Sequence, residues 1–280
     1  MMDWVKTINN AIAYMENHLT DDIMLADIAK SVNISAFHFH RAFSLLTGMT
    51  PTEYMRKRRL SQAGAEIANG NERVIDIAMK YGYDSPESFT KAFTRFHGSS
   101  PMKVRKGSSI QFMNRYTVRI TVEGGCMMEY KIEKWEAMDL LVHANDFHAE
   151  TGVENIPAFW DEYYANEEYR KIPGYLGICG QRKTDGDVFR YGIGCKASDV
   201  EGVPEGFEII HIPECSWAVF KCVGPSSVAV LEMWERIYKE WLPVAEYELI
   251  PDYDIENYLP GDPTSPDYVS EICIPIKSNS

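Results

Sequence analysis

Residues 25–56 read LADIAKSVNISAFHFHRAFSLLTGMTPTEYMR, and residues 74–105 read VIDIAMKYGYDSPESFTKAFTRFHGSSPMKVR. Asp27-Ile28-Ala29 returns as Asp76-Ile77-Ala78, Phe39 with Ala42-Phe43 as Phe89 with Ala92-Phe93, and Gly48 with Pro51 as Gly98 with Pro101. An internal repeat fixes the architecture of a segment before any single element is assigned. Each copy reads as a helix, a short turn and a second helix. Asn33 and Gly82 suit the left-handed conformation at which a helix ends. Ser35, and Asp84 or Ser85, supply the oxygen that caps the next helix.

In that second helix Phe39, Ala42, Phe43 and Leu46, matched by Phe89, Ala92, Phe93 and Phe96, recur at three and four residues and bury one face. The other face carries Ala36, Phe37, His40, Arg41 and Ser44 in the first copy and Pro86, Glu87, Thr90, Lys91 and Arg95 in the second. A capped helix with a bare outer face is how a helix-turn-helix presents its reading edge to the major groove. These ten residues are the expected contacts to double-stranded promoter DNA. Between the copies runs a basic helix, Thr52 to Ile67, with Arg56-Lys57-Arg58-Arg59, and ahead of them Trp4, Val5, Ile8, Ile12, Met15 and Leu19 predict an amphipathic first helix.

The doubled pattern, closed by Gly48-x-x-Pro51 and Gly98-x-x-Pro101, resembles the DNA-binding domain of AraC-type transcription regulators over about residues 1–106. The resemblance implies two recognition helices in neighbouring major-groove segments and, in many relatives, activation through RNA polymerase. Matched by position, Phe37, His40, Arg41, Glu87, Thr90 and Lys91 fall where the family meets DNA, while Pro86 replaces a polar base contact.

Charge is segregated. Residues 1–107 hold 14 Lys and Arg against 11 Asp and Glu, and the remainder holds 14 against 30, within a chain of net charge −13. Phosphate contacts dominate affinity for DNA, so only the first part suits a nucleic-acid partner; self-repulsion of the acidic part favours solubility. A chain of 280 residues suits two domains. The start lacks the pattern of a signal peptide and no apolar run approaches the roughly 20 residues of a membrane span, so a cytoplasmic protein without a membrane partner is expected. The six cysteines, at 126, 179, 195, 215, 222 and 273, form no C-x-x-C pair and read as buried thiols on strands, with a redox sensor as the alternative. His38 and His40 diverge by about 200° on a helix. No metal and no cofactor are expected.

Beyond Gly107 the pattern shifts to alternation: Ile110, Phe112, Val118, Ile120 and Val122, ending at Gly124-Gly125, predict a connecting strand within a linker over 108–126. The remaining segment, 127–280, repeats itself. Residues 130–144 turn at Lys134–Ala137, and residues 209–223 turn at Pro213–Ser216; each pair of strands precedes an aromatic helix, with Phe159, Trp160, Tyr163 and Tyr164 in one and Met233, Trp234, Ile237 and Tyr238 in the other. Further strands follow near 175–179, 189–195, 247–250, 255–258 and 271–276. The prediction is an all-α double helix-turn-helix domain (1–107) followed by an α+β domain of pseudo-twofold symmetry, whose hairpins form one curved antiparallel sheet with two helices and a natural cleft.

This second part resembles the GyrI-like effector-binding domain, through Trp217-Ala218-Val219-Phe220, Tyr191-Gly192-Ile193-Gly194, Ile255-Glu256-Asn257-Tyr258-Leu259-Pro260 and Glu271-Ile272-Cys273-Ile274-Pro275-Ile276. The resemblance implies a pocket for flat, lipophilic cations with a glutamate at its base, here Glu256, and an aromatic wall of Trp160, Tyr164, Tyr191, Phe220, Trp234 and Tyr258. Physical chemistry supports such a site on its own terms: aromatic faces attract delocalised cations, and a carboxylate among Ile, Tyr and Leu is costly to bury unless something positive meets it. The reading is a transcription regulator governed by a small-molecule effector and without catalytic residues. The alternatives from other classes are a hydrolase of electrophilic small molecules, with Glu256 activating water and Tyr191 or Tyr258 supplying a proton, and a protein-interaction module.

Overall fold

The computed structural model describes residues 4–119, 128–181, 187–250 and 253–278. The helical part runs α1 (Trp4–Asn17), α2 (Leu25–Ser31), α3 (Ala36–Thr47), α4 (Pro51–Asn69), α5 (Val74–Lys80), α6 (Pro86–His97) and α7 (Pro101–Arg105). Asn33 and Gly82 take the left-handed turn in the two copies, at φ 57° and 79°. Ser35 and Ser85 then cap α3 and α6 by accepting from the backbone N–H of His38 and Ser88. Gly48 and Gly98 end those helices at φ 72° and 73°, a conformation that a side chain disfavours. Pro51 and Pro101 restart the chain at the first helical turn, where a missing N–H costs nothing.

Both copies bury the same side chains: Phe39, Phe43, Phe89 and Phe93 are wholly enclosed. Their surroundings differ. Phe89 and Phe93 sit in a core of their own with Leu60, Ala63, Ile67 and Val104, whereas Phe39 and Phe43 belong to a core continuous with the C-terminal domain. In α4, Arg58 is turned inward: its Nε and Nη2 donate to Glu16 at 2.7 and 2.6 Å. Arg59 likewise donates to the carbonyl oxygens of Leu19 and Asp21, both at 2.7 Å. Two of the four basic residues expected on this helix therefore lock helices together, because an arginine fork pairs with a carboxylate and satisfies backbone carbonyls beyond a helix end.

No strand forms over residues 108–119, contrary to the alternation there. The tether is held against the helical domain by side chains instead. Gln111 N–H donates to His97 Nδ1 at 3.1 Å, Met113 N–H to Ser61 Oγ at 3.0 Å, and Asn9 both accepts from and donates to the backbone of Val118 at 2.9 Å. Ile110 and Val118 pack on the helical cores. Alternation was satisfied by a helical surface, so no partner strand was needed. Ile120, Val122, Gly124, Gly125 and Cys126 lie outside the described residues.

The C-terminal domain runs β1 (Tyr130–Trp135), β2 (Met138–His148), α8 (Gly152–Ala165), β3 (Leu176–Gln181), β4 (Val188–Lys196), β5 (Glu208–Ile212), β6 (Cys215–Val223), α9 (Ser226–Arg236), β7 (Tyr247–Leu249), β8 (Tyr253–Tyr258) and β9 (Val269–Ser278). The sheet order is β1-β6-β9-β8-β3-β4-β2-β5, with β7 added beside β9. Exchanging the two sequence units reverses this order onto itself, so a pseudo-twofold axis passes between β3 and β8. The expected hairpins are, however, swapped. β1 pairs with β6 and β5 with β2, in antiparallel register from Trp135 opposite Cys215 and Met138 opposite Ile212. Each bend passes the chain from one half-sheet to the other. Either arrangement buries the same alternating side chains, and only contacts distant in sequence, such as Trp135 stacked on Trp217 at 4.6 Å, select the swap. The described cysteines carry free thiols on β3, β4, β6 and β9; burial pushes the Cys179 and Cys273 thiols up.

Candidate functional site: an aromatic cleft closed by a recognition helix

Two faces were expected to meet DNA, and the structure treats them differently. On α6, Pro86, Glu87, Thr90, Lys91 and Arg95 are all exposed. On α3, Ala36, Phe37, His40 and Arg41 are buried and Ser44 is half-buried. The face expected to be bare is covered by the C-terminal domain, since α3 packs on β4 and on the turn that continues α9.

Between α8, α9 and the centre of the sheet lies a cleft of about 550 Å³, within the usual range of small-molecule sites. α8 contributes Ile156, Trp160 and Tyr164, and α9 contributes Val230 and Leu231. From the sheet come Cys179, Tyr191, Asp254, Glu256 and Tyr258. Asp254 and Glu256 are two apart on β8 and so share its face. Their partners across β3 are Cys179 and Gly177. Gly177 is required there: a Cβ would fall 2.3 Å from the Tyr191 hydroxyl.

Glu256 is held on three sides. Trp234 Nε1 donates to Oε1 at 3.0 Å, the Tyr258 hydroxyl donates to Oε2 at 2.9 Å, and Arg41 Nη2 lies 3.5 Å from Oε1. Both carboxylate oxygens are thereby engaged. Trp160 Nε1 donates to the Tyr191 hydroxyl at 3.0 Å, and Trp160 meets Tyr258 edge to face at 5.2 Å. Burial, reinforced by Glu256, raises the pKa of Tyr191 and of Tyr258 well above the ordinary phenol value.

Of the residues expected in this site, Trp160, Tyr164, Tyr191, Glu256 and Tyr258 line the cleft. Trp234 lies beneath it, holding the glutamate. Phe220 does not reach it. Its ring is wholly buried against Tyr130 at 5.5 Å and Trp241 at 4.9 Å, because the turn that continues α9 covers the end of β6 on which it sits. Asp254 was missed, although strand alternation places it beside Glu256. Also missed were the occupants from the helical domain: Phe37 and Arg41 are part of the cleft wall.

Arg41 is the centre of that contact. Its guanidinium carbon stands 4.0 Å from the centroid of Trp234 and 5.0 Å from that of Phe37. Burial opposes its charge, yet Asp254 and Glu256 outweigh burial and hold its pKa above the ordinary value. Phe37 packs on Phe189 with centroids 4.2 Å apart. His38 Nε2 lies 3.1 Å from Asp254 Oδ2, while Ser35 Oγ takes its Nδ1 at 2.7 Å. Outside the cleft, the Ala26 N–H donates to Asp187 Oδ1 at 2.7 Å, and the Thr52 hydroxyl donates to Glu150. His40 has no hydrogen-bond partner on either ring nitrogen among the described residues.

Among the described residues, no helix is long and apolar enough to cross a membrane. Residues 28–107 match the model of a helix-turn-helix domain, and residues 128–277 match that of the GyrI-like small molecule binding domain. The chain is 31% identical over 280 residues to the transcriptional regulator Rob of Salmonella typhimurium, covering 94% of this chain and 93% of that one. It is 30% identical to the right origin-binding protein of Escherichia coli K12, covering 93% of each. An uncharacterised helix-turn-helix regulator of Bacillus subtilis, YbfP, is 33% identical over 175 residues; these make up 62% of this chain, which spans about half (52%) of that relative. Among solved structures, SAV2435 bound to tetraphenylphosphonium overlays with a TM-score of 0.48 at 20% identity, over 54% of this chain and 94% of that one. With both family models matched in order along its length, the chain belongs to the AraC-type DNA-binding transcription regulators that carry a GyrI-like small molecule binding domain.

Proposed function

We propose that the effector of this regulator is a lipophilic organic cation received in the C-terminal cleft, and that its occupancy sets how the protein engages promoter DNA. The observation that carries this is the pair of buried carboxylates, Asp254 and Glu256, inside a wall of Trp160, Tyr164, Tyr191 and Tyr258. Buried negative charge calls for a positive partner, and each aromatic face adds roughly 0.5–2 kcal/mol for a desolvated delocalised cation. A neutral ligand of the same shape gains neither.

Isothermal titration of the full chain with tetraphenylphosphonium and with neutral triphenylphosphine oxide tests this. The cation should bind at least about tenfold more tightly, and Glu256→Gln should remove most of that preference. Equal binding of the two probes, or binding by neither, would overturn the reading. Recovery of the cation unaltered after incubation is expected of an effector; its conversion would favour the hydrolase alternative.

A further inference from the structure

The cleft is already occupied by a cation, and that cation belongs to the reading face of α3. We infer that the structure is a self-blocked state in which Arg41 is the internal ligand of the effector cleft, and that a cationic effector acts by displacing it, freeing α3 for DNA. The inference rests on the cationic-effector reading and adds to it the route from cleft to promoter.

Three observations point the same way. Arg41 has the chemistry of the effector: a planar, delocalised charge set 4.0 Å over Trp234 and 3.5 Å from the Glu256 carboxylate. Phe37, one turn earlier, covers the adjoining wall beside Phe189. Both residues lie on the α3 face expected in the major groove, and a helix so covered cannot enter a groove that admits little more than its own width. The equivalent face of α6 stands exposed. One sequence pattern, used twice, is thus presented once.

A ligand shifts an equilibrium only through different affinities for the two states. Here the difference is built in: the blocked state offers a cation the outer cleft, and the released state offers in addition the Trp234 and Glu256 subsite. Released α3 is also the form that binds DNA. Cation and DNA therefore strengthen each other's binding, by the same factor in both directions. The Arg41 contact lowers the apparent affinity for the cation, because only the released fraction is fully competent.

The test uses a thiol reporter on the covered face. His40→Cys in the full chain should react slowly with a maleimide, read peptide by peptide by mass spectrometry, and tetraphenylphosphonium should speed it by about tenfold or more. Thr90→Cys, on exposed α6, should react at one rate with and without the cation. A further substitution, Phe189→Ala, removes the wall against which Phe37 packs without touching Asp254 or Glu256. Added to His40→Cys, it should raise the labelling rate at position 40 in the absence of any ligand and tighten tetraphenylphosphonium binding. If the cation binds in a Glu256-dependent way but labelling at position 40 stays unchanged, self-blocking is overturned and the effector reading stands. If the cation fails to bind even to Phe189→Ala while that substitution still frees position 40, the effector reading fails and the displacement step with it. Labelling at position 40 as fast as at position 90 from the outset would also sink the inference.

Discussion

α3 and α6 are near-copies in sequence, yet one lies under another domain and the other stands in solvent. Their buried sides agree almost residue for residue; their outer sides share only a basic residue, Arg41 against Lys91. Phe37 and Arg41 make an apolar and a delocalised cationic anchor suited to an aromatic, acidic cleft. Glu87 and Lys91, the matching residues of α6, offer no such pair. A repeat preserves what packing demands, and leaves the outer face free to diverge in its partner. The difference between the two helices is thus one of association, not of fold.

Cavity substitutions at matched core positions probe that division most strongly. Phe43→Ala and Phe93→Ala should each cost about 3–5 kcal/mol of stability, since both rings are fully buried. Phe93→Ala, in the separate core, should leave the covering of α3 intact. Phe43→Ala, in the core shared with the C-terminal domain, should expose it. Chemical denaturation, read alongside maleimide reactivity at position 40, distinguishes the two; equal loosening of α3 would mean that the cores are not independent.

Acid should act on the outer face of α3 and not on that of α6, whose histidine, His97, lies on its buried side with a pKa likewise lowered by burial. Burial, assisted by His148, lowers the His40 pKa from 6.5 to about 4. Between those values the unfolded chain binds more protons than the folded one, so stability is full above pH 6.5 and falls as the pH drops through this window. By about pH 5 the loss from this group is about 2 kcal/mol. The matching residue of α6 is Thr90, which does not titrate. His40→Gln should flatten the fall in melting temperature between about pH 7 and about pH 5, and an unchanged slope would refute the assignment.

A smaller effect separates the helices on DNA. With a duplex from its own upstream region, Lys91→Ala should lower the slope of log K against log salt by about one, with or without tetraphenylphosphonium. Arg41→Ala, which removes the internal ligand, should strengthen DNA binding in the ligand-free protein and leave little further response to the cation. If both variants behave alike in the ligand-free protein, α3 is reading DNA without release.

Much of this is legible in the sequence. The spacing of Phe39, Ala42 and Phe43, and of their counterparts, dictated two helices with one buried face each, because helical periodicity is local. Ser35, Ser85, Gly48 and Gly98 marked their ends by the same local chemistry. In the C-terminal part, alternation gave the strands and symmetry gave their pairing units, but not the partners. Lys134–Ala137 looks like a hairpin turn, and only the long-range register of β1 on β6 makes it a crossing between half-sheets. Glu256 stood out as a carboxylate within an apolar run, while Phe220 was misplaced because its strand alone does not say what covers its end.

The elements, the doubled scaffold and the kind of cleft all follow from periodicity, capping and charge along the chain. Which outer face is free depends on contacts between the domains. Arg41 carries the same guanidinium on any exposed helix; what makes it a ligand of the cleft is Trp234, Asp254 and Glu256, each more than 190 positions away. No local pattern encodes that meeting, since it depends on two domains closing on one another.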